Sequence, residues 1–303
     1  MTAVLRIGTR GSRLALAQAE WARRRLEAAD AGLRAELVVI KTSGDRLRDV
    51  PLHQVGGKGL FVKELESALR EGAIDCAVHS LKDLPGELAP GLTIAAVPER
   101  EDPHDVAITL AAGGLAALPH GARIGTSSPR RAALVRMLWP DLTVVALRGN
   151  VDTRLAKREA GVVEATLLAL AGLKRLGVAH VGTPVPEDEI LPAVGQGAVC
   201  IECRADDART RAWLAAIDHR PTAVCVAAEH AMLAVLDGSC RTPIAGHAVL
   251  SGDSLRLRGL IVKPDGSELL ATERQGPAGD AQAMGRDAGL ELKRRGGPGF
   301  LST

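Results

Sequence analysis

Residues able to do chemistry stand out at three places in the chain. In "AVHSLKDLP" an apolar run ends at His79 or Ser80 and delivers Lys82 and Asp83 just beyond it. An aspartate at the carboxyl end of a strand faces the crevice where open α/β sheets bind ligands. There it can transfer protons or hold a positively charged intermediate. It can equally cap the turn before Pro85, and His79 reads as a packed strand histidine rather than a base. "GSCRTPIAG" puts Cys240 into a polar turn after a helical run, although cysteine is among the most buried residue types. Either that thiol fills a small hole or its sulfur has a task. The third feature is a set of arginines: Arg10, Arg130, Arg131 and Arg148 fall at or just past strand ends, Arg154 lies one helical turn after Asn150, and Arg175 sits in "AGLKRLG". Guanidinium forks match carboxylate or phosphate bidentately, so a ligand with several anionic groups follows; solvated surface side chains are the plain alternative.

The elements that must position these residues alternate. "VLRIG", "AELVVIK", "IDCAVHS", "ARIG", "LTVVALRG" and "EATLLAL" read as short strands. Helical patterns lie between them, over Ser12 to about Ala29, Leu60 to about Arg70, from near Ser128, and from Asn150 to about Glu159. Such βα repeats predict sheets covered by helices. "IGTRGSRLAL" at 7–16 is echoed by "IGTSSPRRAAL" at 124–134. In each, a strand ends in Ile-Gly-Thr and a helix begins at a hydroxyl residue; Ser128 can cap its helix with Pro129 in the first position. Open N–H groups at such helix starts favour anions. Two α/β domains facing one cleft follow. Beyond Thr222 the order changes to a helix, the two strands "IAGHAVL" and "LRLRGLIV", and a final helix, which predicts a smaller α+β domain.

Composition narrows the classes. Across 303 residues, 38 lysines and arginines against 36 acids leave a formal net charge of +2, which argues against a general nucleic-acid or polyanion binder. With no tyrosine, two phenylalanines and three tryptophans, there is little to stack on single-stranded bases. Five cysteines do not make a disulfide scaffold, and no apolar run is long enough to span a bilayer. Cys200 and Cys203 are spaced like a metal pair, but "AVCIECRAD" reads as a packed strand entering a turn. "GGKG" lacks the spacing of a phosphate loop. The polar stretch 42–58 before it reads either as a lid with Lys58 near its hinge or as a long surface loop. On the residues alone, a protein that clamps a small polycarboxylate without changing it also fits the arginines, and a nucleotide-dependent transferase is a third reading.

The order of "IGTRGSRLALAQ", "GGKGLFVKELE", "DCAVHSLKDLP", "EREDPHD", "GTSSPRR", "LRGNVDTRL", "AGLKRLG", "LPAVGQGAVCIECR" and "GSCRTPIAG" resembles the porphobilinogen deaminase (hydroxymethylbilane synthase) family, from about Ile7 to at least Ala245. The resemblance implies two domains like the type II periplasmic-binding-protein halves and a third that carries the cofactor. Their expected spans are 1–99 with a return segment 195–218, 100–194, and 219–303. It also implies a dipyrromethane cofactor attached through a thioether to Cys240. Four porphobilinogen molecules are condensed head to tail on that primer, with ammonia released at each step, and hydrolysis of the growing linear polypyrrole yields hydroxymethylbilane. Asp83 matches the catalytic aspartate. Arg10, Arg130, Arg131, Arg148, Arg154 and Arg175 match the arginines that hold acetate and propionate groups. Ser12, Lys82, Thr126 and Ser128 correspond to supporting contacts, Gln196 to the hinge-like "GQG", and Lys58 to a lid. A cytoplasmic monomer is implied, with no metal, nucleic-acid or membrane partner.

Two departures are visible. Ser239 replaces a glycine frequent before the cysteine, and His230 in "AEHAML" stands where the family commonly has an arginine, so a salt bridge expected there is in doubt. Intact mass spectrometry tests the tether. Protein made in a haem-producing host should carry the added mass of two linked pyrroles after denaturation, and Cys240→Ser should lack it. Full activity from an unmodified chain would refute the assignment.

Overall fold

In a computed structural model of the chain, residues 3–46, 62–238 and 242–302 are described. Lys58, Ser239 and Cys240, where the lid and the tether are expected, lie outside the described residues. The first half runs β1 (Ala3–Arg10), α1 (Arg13–Ala29), β2 (Leu33–Ile40), α2 (Ser43–Arg46), α3 (Lys63–Arg70), β3 (Cys76–Ser80) and β4 (Leu92–Ala96). The chain then crosses to β5 (Asp105–Thr109), β6 (Arg123–Gly125), α4 (Pro129–Leu138), β7 (Thr143–Val145), α5 (Val151–Glu159), β8 (Ala165–Ala169), α6 (Leu170–Arg175) and β9 (Thr183–Pro184). It returns as β10 (Val199–Arg204) and α7 (Ala208–Ala215) and ends in α8 (Arg220–Val235), β11 (Ile244–Ser251), β12 (Ser254–Val262), β13 (Leu269–Pro277) and α9 (Ala281–Gly296). No described helix is long and apolar enough to cross a membrane.

Two five-stranded sheets have orders β2-β1-β3-β10-β4 and β7-β6-β8-β5-β9. In each, the first strand lies parallel between the second and third, and one antiparallel strand separates the third from the fourth. That antiparallel strand, β10 or β5, is the one arriving from the opposite half. The two halves therefore share one topology, as expected for type II halves. β3 and β10, covered on both faces, are buried along almost their whole length and read accordingly as continuous apolar runs.

The repeated Ile-Gly-Thr motif falls at equivalent places, ending β1 and β6. Ser12 caps α1 by accepting from the Ala15 N–H, and Ser128 caps α4 by accepting from the Arg131 N–H. The glycines are sterically required. A Cβ on Gly125 would lie 2.7 Å from the Leu147 side chain, and one on Gly8 would strike Ile74.

The third domain is an antiparallel sheet β11-β12-β13 packed on α8 and α9. The sequence predicts only its first two strands. β13 is an edge strand in which no residue is buried, so its run "LLATERQGP" carries no sustained apolar face to betray it. This domain is wedged against both halves: Ala245, Leu260 and Val262 enter the core of the second, and Val226 and Ala223 of α8 enter a cluster of the first with Leu81, Leu84 and Val97.

Glu229 of α8 fixes this junction. Its carboxylate has no exposed surface and accepts from Arg100 Nη1 at 2.5 Å, the Gly195 N–H at 2.7 Å and the Ala248 N–H at 2.8 Å. Arg100 and Gly195 belong to the two segments that cross between the halves, so one carboxylate ties both crossings to the third domain. His230 beside it is half-buried, and desolvation, opposed by Glu229, pushes its ring toward the neutral form. Losing one partner of such a pair is strongly destabilising. Glu229→Gln should therefore lower stability by about 3 kcal/mol or more, read as a fallen thermal midpoint. Asp287→Asn, at an exposed partner of Arg274, should barely move it. Equal midpoints for both variants would contradict this role.

Candidate active site

The carboxyl ends of β1 and β3 meet at one pocket, lined by Arg10, Ser12, Gln18, His79, Ser80 and Asp83 among others. Lys82 and Asp83 sit on a single 3-10 turn, Leu81–Asp83, that follows β3 directly. Asp83 Oδ2 lies 4.0 Å from Arg10 Nη1. Gln18, buried on α1, donates to Ser80 Oγ at 2.9 Å and locks the end of β3 to that helix. Gln18 was not among the expected site residues. Its only sequence signal was a polar residue on the inner face of α1.

The second half contributes Arg131, Arg148 and Arg154. Burial pushes the Arg154 guanidinium down to about 10, Arg131 and Arg148 add repulsion, and Asp83 opposes it. These side chains, drawn from both halves, thus share one electrostatic field with Asp83. Arg154 Nε donates to the Gly149 carbonyl at 2.9 Å, which orients its fork. At the outer edge Arg13 and Asp152 pair across the cleft at 2.8 Å. Arg175 is set apart, near the hinge, donating to the Gly197 carbonyl at 2.8 Å. Gly197 itself has φ +89°, and a side chain there would strike the Glu101 carbonyl.

Arg130 and Arg131 do not present themselves side by side to the cleft. Both are buried around Asp105, the first residue of β5, which has no exposed surface. Asp105 Oδ2 accepts from Arg130 Nη2 at 2.6 Å, and Oδ1 accepts from Arg131 Nη2 at 2.6 Å and from Gln196 Nε2 at 2.8 Å. Arg130 spends its other Nη on the Leu191 carbonyl. Burial alone would raise the Asp105 acid, but the two arginines outweigh it and hold the group well below the carboxylate range. Asp105 was missed in the sequence, where "EREDPHD" offers four acids with nothing to separate a surface one from a buried one.

Gln196 relays this cluster to the Leu81–Asp83 turn: its Oε1 accepts from Lys82 Nζ at 3.3 Å. Lys82 is held down to about 8, first by burial and then by Arg131, with Asp83 and Asp105 pulling the other way. The expected supporting hydroxyls shape helix starts. Ser12 and Ser128 are caps, and buried Thr126 accepts from the Ser128 N–H at 3.1 Å. Cys200 and Cys203 are core residues of β10, and burial, the largest effect on each, pushes their thiols up. Among the described residues no group of three or more acids, cysteines and histidines is arranged to hold a metal.

Two family models divide the chain between them. The model described as porphobilinogen deaminase, dipyromethane cofactor binding domain, matches residues 5–212. The chain belongs to the porphobilinogen deaminase family. The family's C-terminal domain model matches residues 223–294, a span that includes Cys240. Porphobilinogen deaminase of Paracoccus denitrificans (strain Pd 1222) is 55% identical over 301 residues, covering 98% of this chain and 96% of that one. The namesake from Nitrobacter winogradskyi (strain Nb-255) is 53% identical over 299 residues, covering 98% and 95%. Among solved structures, the methionine binding protein MetQ is similar at a TM-score of 0.45 and 15% identity, over 71% of this chain and 89% of that one.

The cleft suits the dipyrromethane that this family carries. Lys82, Arg131, Arg148 and Arg154 are gathered near Asp83, and burial, followed by repulsion from Arg131, depresses Lys82 and Arg154. Such a gathering of cations suits a ligand bearing several carboxylates. Lys82 provides a direct check. After reductive methylation with labelled formaldehyde, the Lys82 methyl resonance, identified by its absence in Lys82→Arg, should titrate near pH 8. In Asp105→Asn it should titrate lower still, because the carboxylate that offsets Arg131 is gone. A midpoint at 10 or above would exclude this environment.

Proposed function

We propose that this chain condenses four porphobilinogen molecules head to tail on a dipyrromethane tethered to Cys240 and hydrolyses the product to hydroxymethylbilane. The observation that carries the reading is the pairing of Asp83 with a cation-lined cleft in a chain matched to the family over nearly its whole length. A clamp that merely binds a polycarboxylate has no use for an aspartate set at the β3 end, 4.0 Å from Arg10. We read residues 1–99 with 195–218 as the half bearing Asp83, 100–194 as the half bearing most of the arginines, and 219–303 as the tether domain. The protein acts as a cytoplasmic monomer whose partners are porphobilinogen and the growing linear polypyrrole, and its near-balanced charge supports a reading without nucleic acid.

At each step the substrate's methylene C–N bond breaks, its electron pair leaves with ammonia, a C–C bond forms, and one pyrrole proton is lost. Bound dipyrromethane supplies the electron-rich pyrrole carbon to which the first substrate is joined. Asp83 serves the substrate twice. Its negative charge stabilises the cation left when ammonia departs, and its oxygen takes the proton shed on coupling. Arg10 keeps that carboxylate oriented at the pocket wall. Arg148 and Arg154 receive acetate and propionate groups, Arg175 serves near the hinge, and Arg130 and Arg131 act through Asp105. Ser12 and Ser128 fix the starts of α1 and α4, whose positive dipole ends favour the same anions, and Thr126 holds the Ser128 N–H. Lys82 and Gln196 join the catalytic turn to the hinge, and Lys58 is read as the lid residue on the sequence alone.

Asp83→Asn, prepared with its primer already attached, separates these roles from loading. Single-turnover elongation should fall by about 100-fold or more, the ordinary reach of a positioned proton acceptor, while binding of the first substrate is largely kept. Near-normal elongation in that variant would sink the assignment.

A further inference from the structure

Behind the pocket wall lie two buried groups that the condensation chemistry does not use. His79 on β3 pairs in register with Cys200 on β10, and Glu202, two residues further along β10, lies diagonally beside it on the same face. His79 Nε2 is 3.2 Å from Glu202 Oε2, with the side chains 3% and 1% exposed. Neither oxygen of Glu202 has a hydrogen-bond partner among the described residues, and His79 Nε2, although within 3.2 Å, is also without a well-formed one. A carboxylate so placed must keep a cation or a proton beside it, and the imidazole is the group within reach. The same imidazole lines the pocket that contains Asp83.

We propose that His79 and Glu202 form an imidazolium–carboxylate pair that makes His79 a positioning residue for Asp83, with the positive ring at the pocket wall and the negative carboxylate behind it. The inference rests on the reading of Asp83 as the proton-handling group. Oriented this way, the pair is neutral as a whole and turns its positive side toward the pocket that holds Asp83. It also keeps the turn Leu81–Asp83 anchored to the central strands.

Other charges face the pair from each neighbouring element. On α3, burial followed by repulsion from Glu202 pushes the Glu66 acid up, against Arg70, His79 and Lys63. On β10, burial and then Glu202 and Asp83 push the Cys200 thiol up, which puts both carboxylates within electrostatic reach of one buried atom. On the pocket side, Arg10 and Lys82 act on Asp83.

Two measurements on the primed enzyme test the pair. In histidine-labelled protein, assigned with His79→Gln, the His79 ring nitrogens should show the imidazolium pattern at pH 7 and lose it in Glu202→Gln. A neutral ring at pH 7 in the unsubstituted enzyme overturns the inference whatever Asp83 does. The acid limb of the kcat profile should move to higher pH by about half a unit in His79→Gln and in Glu202→Gln, with KM for porphobilinogen within about twofold. The double variant should move no further than either single one. An imidazolium with an unmoved acid limb in variants that fold and load the primer overturns the positioning role and leaves that of Asp83 intact. If Glu202→Gln fails to fold, His79→Gln alone decides the second measurement, since its amide can still donate to Glu202.

Discussion

Asp105 is a carboxylate without exposed surface, set at the point where the chain has just crossed from one half to the other. Two guanidinium groups and the Gln196 amide converge on it. Removed from water, two arginines side by side would repel each other and face a heavy desolvation cost. One fully engaged anion makes their burial tolerable and fixes where their forks point. The rest of the cleft depends on that arrangement. Arg131 acts on Lys82 and Arg154 by its charge, Gln196 passes the geometry to Lys82, and Lys82 adjoins Asp83 in the turn. Asp105 thus sets the electrostatic background of a site with which it shares no element.

Glu229 plays the matching part on the third domain. Both carboxylates are buried, both hold an arginine or two, and both grip the crossing segments rather than the body of a sheet. Arg100 joins them, since its Nε donates to the Gln196 carbonyl at 2.8 Å while its Nη groups hold Glu229. The three domains are therefore connected through one chain of charge-assisted hydrogen bonds at the hinge. Elsewhere across the cleft mouth, the exposed Arg13–Asp152 pair is readily exchanged for water. A cleft built this way can adjust its opening without disturbing the hinge that orients its cations.

Much of this was legible in the residues. The βα order, the two equivalent capped helices and the position of Asp83 after β3 follow from short-range patterns, which is why periodicity and capping signals located them. Arg10, Arg148 and Arg154 were found from their places at strand or helix ends. Burial was not legible. Nothing local separates Asp105 from the acids around it, or Arg130 from a ligand-facing arginine, because the fate of each is decided by contacts from more than 20 residues away. β13 escaped for the opposite reason: its stability comes from pairing with β12, and an edge strand needs no apolar face of its own.

The exchange of antiparallel strands between the halves also has a consequence for how the chain is made. β3 and β4 emerge during synthesis separated by the slot that β10 will fill, and β10 follows them by about a hundred residues. The second sheet, whose strands all lie between Asp105 and Pro184, can close while the first still exposes two unpaired strand edges. Long-range pairing of this sort is slow, and open edges invite misassembly. The nascent first half is thus the vulnerable one, and it is sealed only when Val199–Arg204 leaves the ribosome, some 35 residues before the cysteine meant to hold the primer.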